Sequence, residues 1–178
     1  MLWELIALLA LAAMFYLGRK NIVFYLWAFL IGIFVGFWWE LWAESKFSYT
    51  GFSLYLWKDV PAAIILLWGV VIAGFVLISD YLQKKIPVSK KGNHAELKNC
   101  LFWDVVVSLV IGMVMEILGS SFFDMWGYPP NSMPAILNIP IQWLFGWGWI
   151  GLFVSAFIRR YYMFRDSALK TTQSVKDL

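Results

Sequence analysis

The sequence predicts an all-α integral membrane protein with five transmembrane helices. Hydrophobic residues occupy 62% of the 178 positions and charged residues only 14%, and the mean hydropathy is +0.72. In soluble domains about a quarter of the residues are charged, so this composition belongs to the membrane class. Two further observations specify the architecture, namely five long apolar segments and an internal repeat of two helices.

Each of the five apolar segments is long enough to cross a bilayer, which takes about 17 to 25 helical residues. The first lacks the basic start and the cleavage site of a signal peptide, so we expect it to be retained as a helix. The predicted spans are Leu2–Gly18, Ile22–Ala43, Val60–Ser79, Cys100–Gly119 and Ile136–Ile158. They divide the chain into an N-terminal helix (1–20), a first two-helix repeat (21–79), a basic linker (80–98), a second two-helix repeat (99–158) and a basic tail (159–178).

Basic residues are concentrated on one side of the predicted membrane. The first loop, the linker and the tail carry all the Lys and Arg residues except Lys46 and Lys58. Cytoplasmic loops carry the excess of Lys and Arg in membrane proteins. We therefore expect a multi-pass protein of the cell membrane whose N-terminus is outside and whose linker and C-terminus are cytoplasmic.

The second and fourth segments share a pattern of small residues followed by an acid. Gly32 and Gly36 precede Glu40 at steps of four residues, and the same pattern ends at Glu116. Residues four apart lie on one helix face. Small residues at that spacing let helices approach closely in a bilayer, and an acid there faces protein or water rather than lipid. The two glutamates are therefore predicted to face the protein interior, near the outer ends of their helices.

The similarity between the two halves extends beyond the acids. At an offset of 76 residues the matching pairs are Trp27 and Trp103, Gly36 and Gly112, and Glu40 and Glu116; at an offset of 79 they are Asp59 and Asn138, Pro61 and Pro140, Trp68 and Trp147, and Gly69 and Gly148. Both halves enter the membrane in the same direction. Helices 2–3 and 4–5 are therefore predicted to form a parallel tandem repeat, related by an axis along the membrane normal, with the first helix outside it.

Composition excludes several kinds of site. The chain has one cysteine and one histidine, which excludes an internal disulfide, a Cys-rich or His-rich metal centre and a Ser-His-Asp triad. We expect no metal and no cofactor. The basic residues are explained by membrane orientation, so nucleic acid is not an expected partner.

The candidate site is the pair of glutamates together with the aromatic loops on the outer side, which we expect to fold over the helix ends. Glu40 and Glu116 are the candidate catalytic residues. The candidate substrate-binding residues are Trp39, Trp57, Asp59, Trp126, Tyr128, Asn138, Gln142 and Trp143.

Three hypotheses for function follow from this site. In the first, a protonated glutamate donates its proton to a carbon–carbon double bond of an isoprenoid-like lipid, and Trp and Tyr faces stabilise the cation that forms. In the second, the protein is a small-molecule transporter or a ligand-capture subunit whose acids bind a proton or a cation. In the third, it is a structural accessory subunit in which the glutamates bind Trp N–H groups or loop backbone. A cavity lined by both glutamates would count against the third hypothesis.

Two further features concern packing. Asp104 lies near the inner end of its helix, and we predict that it pairs with Arg159 or Arg160. The alanines of the first helix permit close packing on a second copy of the chain or on a partner subunit. They are Ala7, Ala10, Ala12 and Ala13.

The order Glu116, Trp126-Gly127-Tyr128, Ile139–Trp143 resembles the acid, Trp-x-Tyr and small-apolar-Pro elements of the small membrane lycopene cyclase domains. Glu116–Gly119 followed by Pro140–Trp143 is also similar to the related carotenoid hydratases. The resemblance covers residues 104–150, with a fainter echo at Glu40, Trp57 and Pro61. It implies two similar helical domains and cyclase-type or hydratase-type chemistry on a carotenoid-like lipid. At Gln142 and Trp143 the cyclases carry two glutamates.

Overall fold

The structure is a computed structural model that describes residues 2–43, 48–86, 95–128, 135–136 and 139–176. Helix accounts for 81% of it. The helices are α1 (Leu2–Leu17), α2 (Ile22–Ala43), α3 (Ala62–Lys85), α4 (Ala95–Glu116) and α5 (Ile141–Lys176). A 3₁₀ turn over Arg19–Asn21 precedes α2, and a π-helical turn over Ile117–Phe122 extends α4.

Four helices are long and apolar enough to cross a membrane: Arg19–Trp42, Ala62–Lys85, Lys98–Phe122 and Ile141–Tyr161. Their length and composition indicate a multi-pass membrane protein. The helix α1 is apolar but has 16 residues. At 1.5 Å per residue it is about 24 Å long, shorter than the roughly 30 Å of the hydrocarbon core. A fifth span therefore stays a prediction.

The helix α3 is the interior helix of the bundle. It packs against α1, α2 and α4, while α4 pairs with α5. Within the most hydrophobic window of each candidate span, 61% of α3 is buried, against 24–28% of the others. Small residues make the close approach possible, since a Cβ on Gly32 of α2 would lie 2.8 Å from the Cα of Gly69 of α3.

Packing of α1 on the bundle uses part of the alanine face predicted to bind a partner. Ala7 is completely buried within the chain, whereas Ala12 and Ala13 are exposed. The Glu4 carboxylate accepts hydrogen bonds from the backbone N–H groups of Ser53 and Leu54, at 2.7 and 3.2 Å. These bonds tie α1 to the loop between α2 and α3.

Six short strands, which an all-α prediction does not include, lie in the loops at one end of the bundle, called the loop end below. They are β1 (Ser48–Tyr49), β2 (Tyr55–Trp57), β3 (Val60–Pro61), β4 (Trp126–Gly127), β5 (Ala135–Ile136) and β6 (Ile139–Pro140). Pairing of β2 with β3 and of β5 with β6 leads into α3 and α5, and β1 pairs with β4 across the two loops. The strands form because loop backbone groups that are covered by aromatic side chains need hydrogen-bond partners.

Three helices continue beyond the predicted spans. The helix α3 runs past Ser79 to Lys85, α4 begins at Ala95, before Cys100, and α5 runs past Ile158 to Lys176. Parts of the predicted linker and tail are therefore helical. The predicted ends followed hydropathy, which falls where polar residues that favour helix continue the same hydrogen-bond ladder.

A buried ionic cluster lies at the end of the bundle opposite the loop end. Arg159 donates from Nε and Nη2 to both carboxylate oxygens of Asp104, at 2.6 and 2.8 Å, so the predicted pairing of Asp104 is confirmed for Arg159. It also donates to Asp80 at 2.7 Å and to Ser79 at 3.3 Å. Tyr25 donates to the second oxygen of Asp80 at 2.8 Å. The cluster therefore connects α2, α3, α4 and α5.

Candidate functional site

Glu40 lies in the last turn of α2 and is 4% exposed. Trp68 of α3 donates its indole N–H to Oε1 at 2.6 Å. The hydroxyl of Tyr49, in β1, donates to Oε2. One donor therefore comes from the neighbouring helix and one from the loop.

Glu116 lies where α4 passes into the π-helical turn, a distortion that frequently accompanies functional sites. Its side chain is buried and accepts three hydrogen bonds. Trp147 of α5 donates to Oε1 at 3.0 Å. Trp126 of β4 donates to Oε2 at 3.1 Å, and the hydroxyl of Tyr128 donates to the same oxygen.

In each half a glycine admits the indole that reaches the acid. A Cβ on Gly36 would lie 2.3 Å from the Cβ of Trp68, and one on Gly112 would lie 2.0 Å from the Cγ of Trp147. Each glycine lies one turn before its glutamate, so the indole N–H meets the carboxylate. The rings of Trp68 and Trp147 then stack on one another, with centroids 5.1 Å apart and planes 19° apart.

Both carboxylates border one cavity of about 70 Å³. Its lining consists of Trp39, Glu40, Tyr49, Ile64, Leu67, Trp68, Val71, Met115, Glu116, Trp126, Trp143, Gly146, Trp147 and Ile150. One water needs about 10–15 Å³ of such space, so the cavity has room for on the order of five water-sized groups. Drug-sized ligands occupy about 300–1,000 Å³. The cavity therefore suits a small chemical group rather than a whole polyene.

The lining of this cavity is acidic and aromatic. Among the described residues that border it, two are glutamates and none is Lys, Arg or His. Buried carboxylates need a compensating charge or strong hydrogen bonds, and the faces of Trp rings attract cations. In the part of the chain that the structure describes, no three His, Cys, Asp or Glu side chains come together. The lining therefore suits an organic cation better than a metal ion.

The two tyrosines are fixed as hydrogen-bond donors. Burial, and then the Glu40 carboxylate, raise the pKa of Tyr49 far above its ordinary value. Burial and the Glu116 carboxylate do the same to the pKa of Tyr128. Both phenols therefore keep their protons at physiological pH, and each continues to donate to its glutamate.

Five of the residues predicted for the site lie at this cavity. Trp39, Trp126 and Trp143 line it together with Glu40 and Glu116. Tyr128, although not part of the lining, reaches Glu116 through its hydroxyl.

The structure does not bring three other predicted residues to the cavity. Trp57 is 55% exposed on β2. Asp59 is exposed in the turn between β2 and β3, where Lys58 has a φ of 42°. Gln142 is exposed in the first turn of α5. Asn138 lies outside the described residues.

Sequence reasoning missed three residues that contact the acids or line the cavity, namely Tyr49, Trp68 and Trp147. The signal for the two tryptophans was present, since they match at the same offset of 79 residues that aligns the prolines. A repeated acid needs a repeated donor, and these indoles were the candidates. Tyr49 carried no such signal, because its pairing depends on how the loop folds.

Comparisons with protein-family models, with curated proteins and with solved structures give no match to this chain. Its function therefore has to be inferred from the site itself.

Proposed function

We propose that this membrane protein captures or transports a lipophilic organic cation, which binds between Glu40 and Glu116. The observation that carries the proposal is the single cavity that two buried carboxylates share, with aromatic rings and no basic side chain among its described lining residues. A cation supplies the missing positive charge. The indole and phenol donors hold both carboxylates in place beforehand, which lowers the cost of binding.

We also propose the arrangement of the chain in the cell membrane. The helix α1 is the fifth span, α2–α3 and α4–α5 form the parallel tandem repeat, and the C-terminus is cytoplasmic. Support comes from the matched contacts of the two halves, in which a Trp N–H reaches the glutamate past a glycine. With this orientation the cavity lies near the outer face of the membrane.

The test uses purified protein, with choline as the cationic probe and 3,3-dimethylbutanol as its neutral isostere. We expect choline to bind and the alcohol not to bind measurably. Glu40→Gln and Glu116→Gln should each weaken choline binding about tenfold or more, a change of at least about 1.4 kcal/mol, because each removes one buried negative charge. Calorimetric titration measures both affinities.

Asp59→Asn is the matched control, since it removes an exposed acid at the loop end but away from the cavity. Its choline affinity should equal that of the wild type. Equal binding of choline and the alcohol, or an equal loss in Asp59→Asn and Glu116→Gln, would refute the proposal. Melting curves of all variants separate loss of binding from loss of folding.

A second candidate is acid–base catalysis on an isoprenoid or carotenoid-like lipid, in which the cation is a transient carbocation. It is favoured by the contacts of Glu116, because Trp126 and Tyr128, which carry the resemblance to the lycopene cyclases, both donate to it. Lipid and pigment extracts of cells expressing the wild type or the Glu40→Gln, Glu116→Gln double variant distinguish it. A product that differs by water or by ring number should appear with the wild type alone.

A further inference from the structure

A second concavity lies on the membrane-facing side of α2. It has a volume of about 420 Å³ and is lined by Phe34, Val35, Trp38, Trp39 and Trp42. Three of these rings are largely exposed, Phe34 by 62%, Trp38 by 58% and Trp42 by 60%. All five side chains are apolar or aromatic, and none is charged. The feature is called the α2 groove below.

The α2 groove and the cavity share one residue. Trp39 lines both. Its ring lies edge-on to Trp143, with centroids 5.3 Å apart, and 6.2 Å from the ring of Trp68. A single indole therefore separates the carboxylates from the membrane side of α2, and a change of its rotamer connects the two spaces.

The sizes of the two spaces complement one another. The cavity holds on the order of five water-sized groups, which suits a methylated ammonium group and leaves the rest of a lipophilic ligand outside. The α2 groove is several times larger and has no polar side chain in its lining. It therefore suits an apolar chain.

The direction of the groove also matches a molecule that lies in one leaflet. Glu40 lies near the loop end of α2, whereas Phe34 lies six residues deeper, about 9 Å at 1.5 Å per residue. An amphiphile in a bilayer holds its charged group near the interface and its chain toward the midplane. Bound with its ammonium beside Glu40, such a molecule has its chain directed along the groove.

We infer that the ligand is a cationic amphiphile with one long apolar chain, whose ammonium group enters the cavity past Trp39 while the chain lies in the α2 groove. This inference rests on the proposed function, because the carboxylates are what draw the ammonium group in. It adds the chain to the ligand and a lateral route to the cavity.

The test compares tetramethylammonium with butyl-, octyl- and dodecyltrimethylammonium on the full-length protein. In the wild type, affinity relative to tetramethylammonium should rise with chain length and level off when the chain exceeds the groove. Trp38→Ala and Trp42→Ala should each lower the ratio of octyl to tetramethylammonium affinity about fivefold to tenfold, because the chain loses an aromatic contact. Partition of the probes into detergent is the same for every variant, so it cancels in this comparison.

Trp149→Ala is the matched control, since Trp149 is 60% exposed on α5 and lines neither space. Its affinity ratio should equal that of the wild type. If tetramethylammonium binds but Trp38→Ala and Trp42→Ala leave the ratio unchanged, the chain site is refuted and the proposed function stands. If none of the ammonium probes binds, the proposed function fails and the inference fails with it.

Discussion

Replacing Arg159 with alanine is expected to destabilise the fold by about 3–5 kcal/mol, the typical cost of leaving a buried charge without its partner. Arg159 provides both hydrogen bonds that fix the carboxylate of Asp104, which is completely buried, and one to Asp80. Without the guanidinium, two carboxylates face each other where water does not reach Asp104. The expected fall in melting temperature is at least about 6 °C for a chain of this size.

The adjacent Arg160 provides the control for this prediction. Arg160 is exposed, so Arg160→Ala removes the same charge without uncovering a buried acid, and its melting temperature should stay near that of the wild type. A neutral triple variant, Asp80→Asn, Asp104→Asn and Arg159→Met, should recover most of the loss, because replacing a whole buried ion set is often nearly neutral. Equal melting temperatures for the two alanine variants would show that the cluster contributes little.

Hydropathy predicted the interior of the helices better than their ends. The bounds of α2, Ile22–Ala43, agree with the predicted span, because the apolar run follows the polar residues Arg19–Asn21 directly. Asp80 was assigned to a linker because it opens the first polar stretch after the third segment. Its role in the ionic cluster depends on the arrangement of α3 beside α5, which no local pattern contains.

The repeat located the two acids, and helix packing decided the rest of the site. With 12 tryptophans in the chain, which indole reaches a glutamate depends on the rotation of each helix about its axis. Trp68 and Trp147 meet the acids because Gly36 and Gly112 leave space for their rings. Asp59 also belongs to the repeat, but the turn between β2 and β3 directs it to solvent.

Gly112→Ala tests whether that space is essential, and it is expected to be strongly destabilising. Alanine in place of glycine within a helix normally stabilises by about 0.5–1 kcal/mol. Here the added methyl would lie 2.0 Å from the Cγ of Trp147, a ring atom close to the backbone that cannot swing away like the end of a flexible side chain. The ring has to move, which costs about 1–3 kcal/mol for overpacking.

The movement of Trp147 also has a functional consequence. It withdraws the N–H from Oε1 of Glu116 and breaks the stack on Trp68, so choline binding should fall together with the melting temperature. Gly74→Ala is the matched control on α3, because nothing lies within 4 Å of its added methyl, and this variant should melt at or above the wild-type temperature. If the two alanine variants melt alike and bind choline alike, the small residue before Glu116 is not what admits the indole. If only Gly112→Ala loses both properties, the glycine one turn before the acid is the feature that couples helix packing to the site.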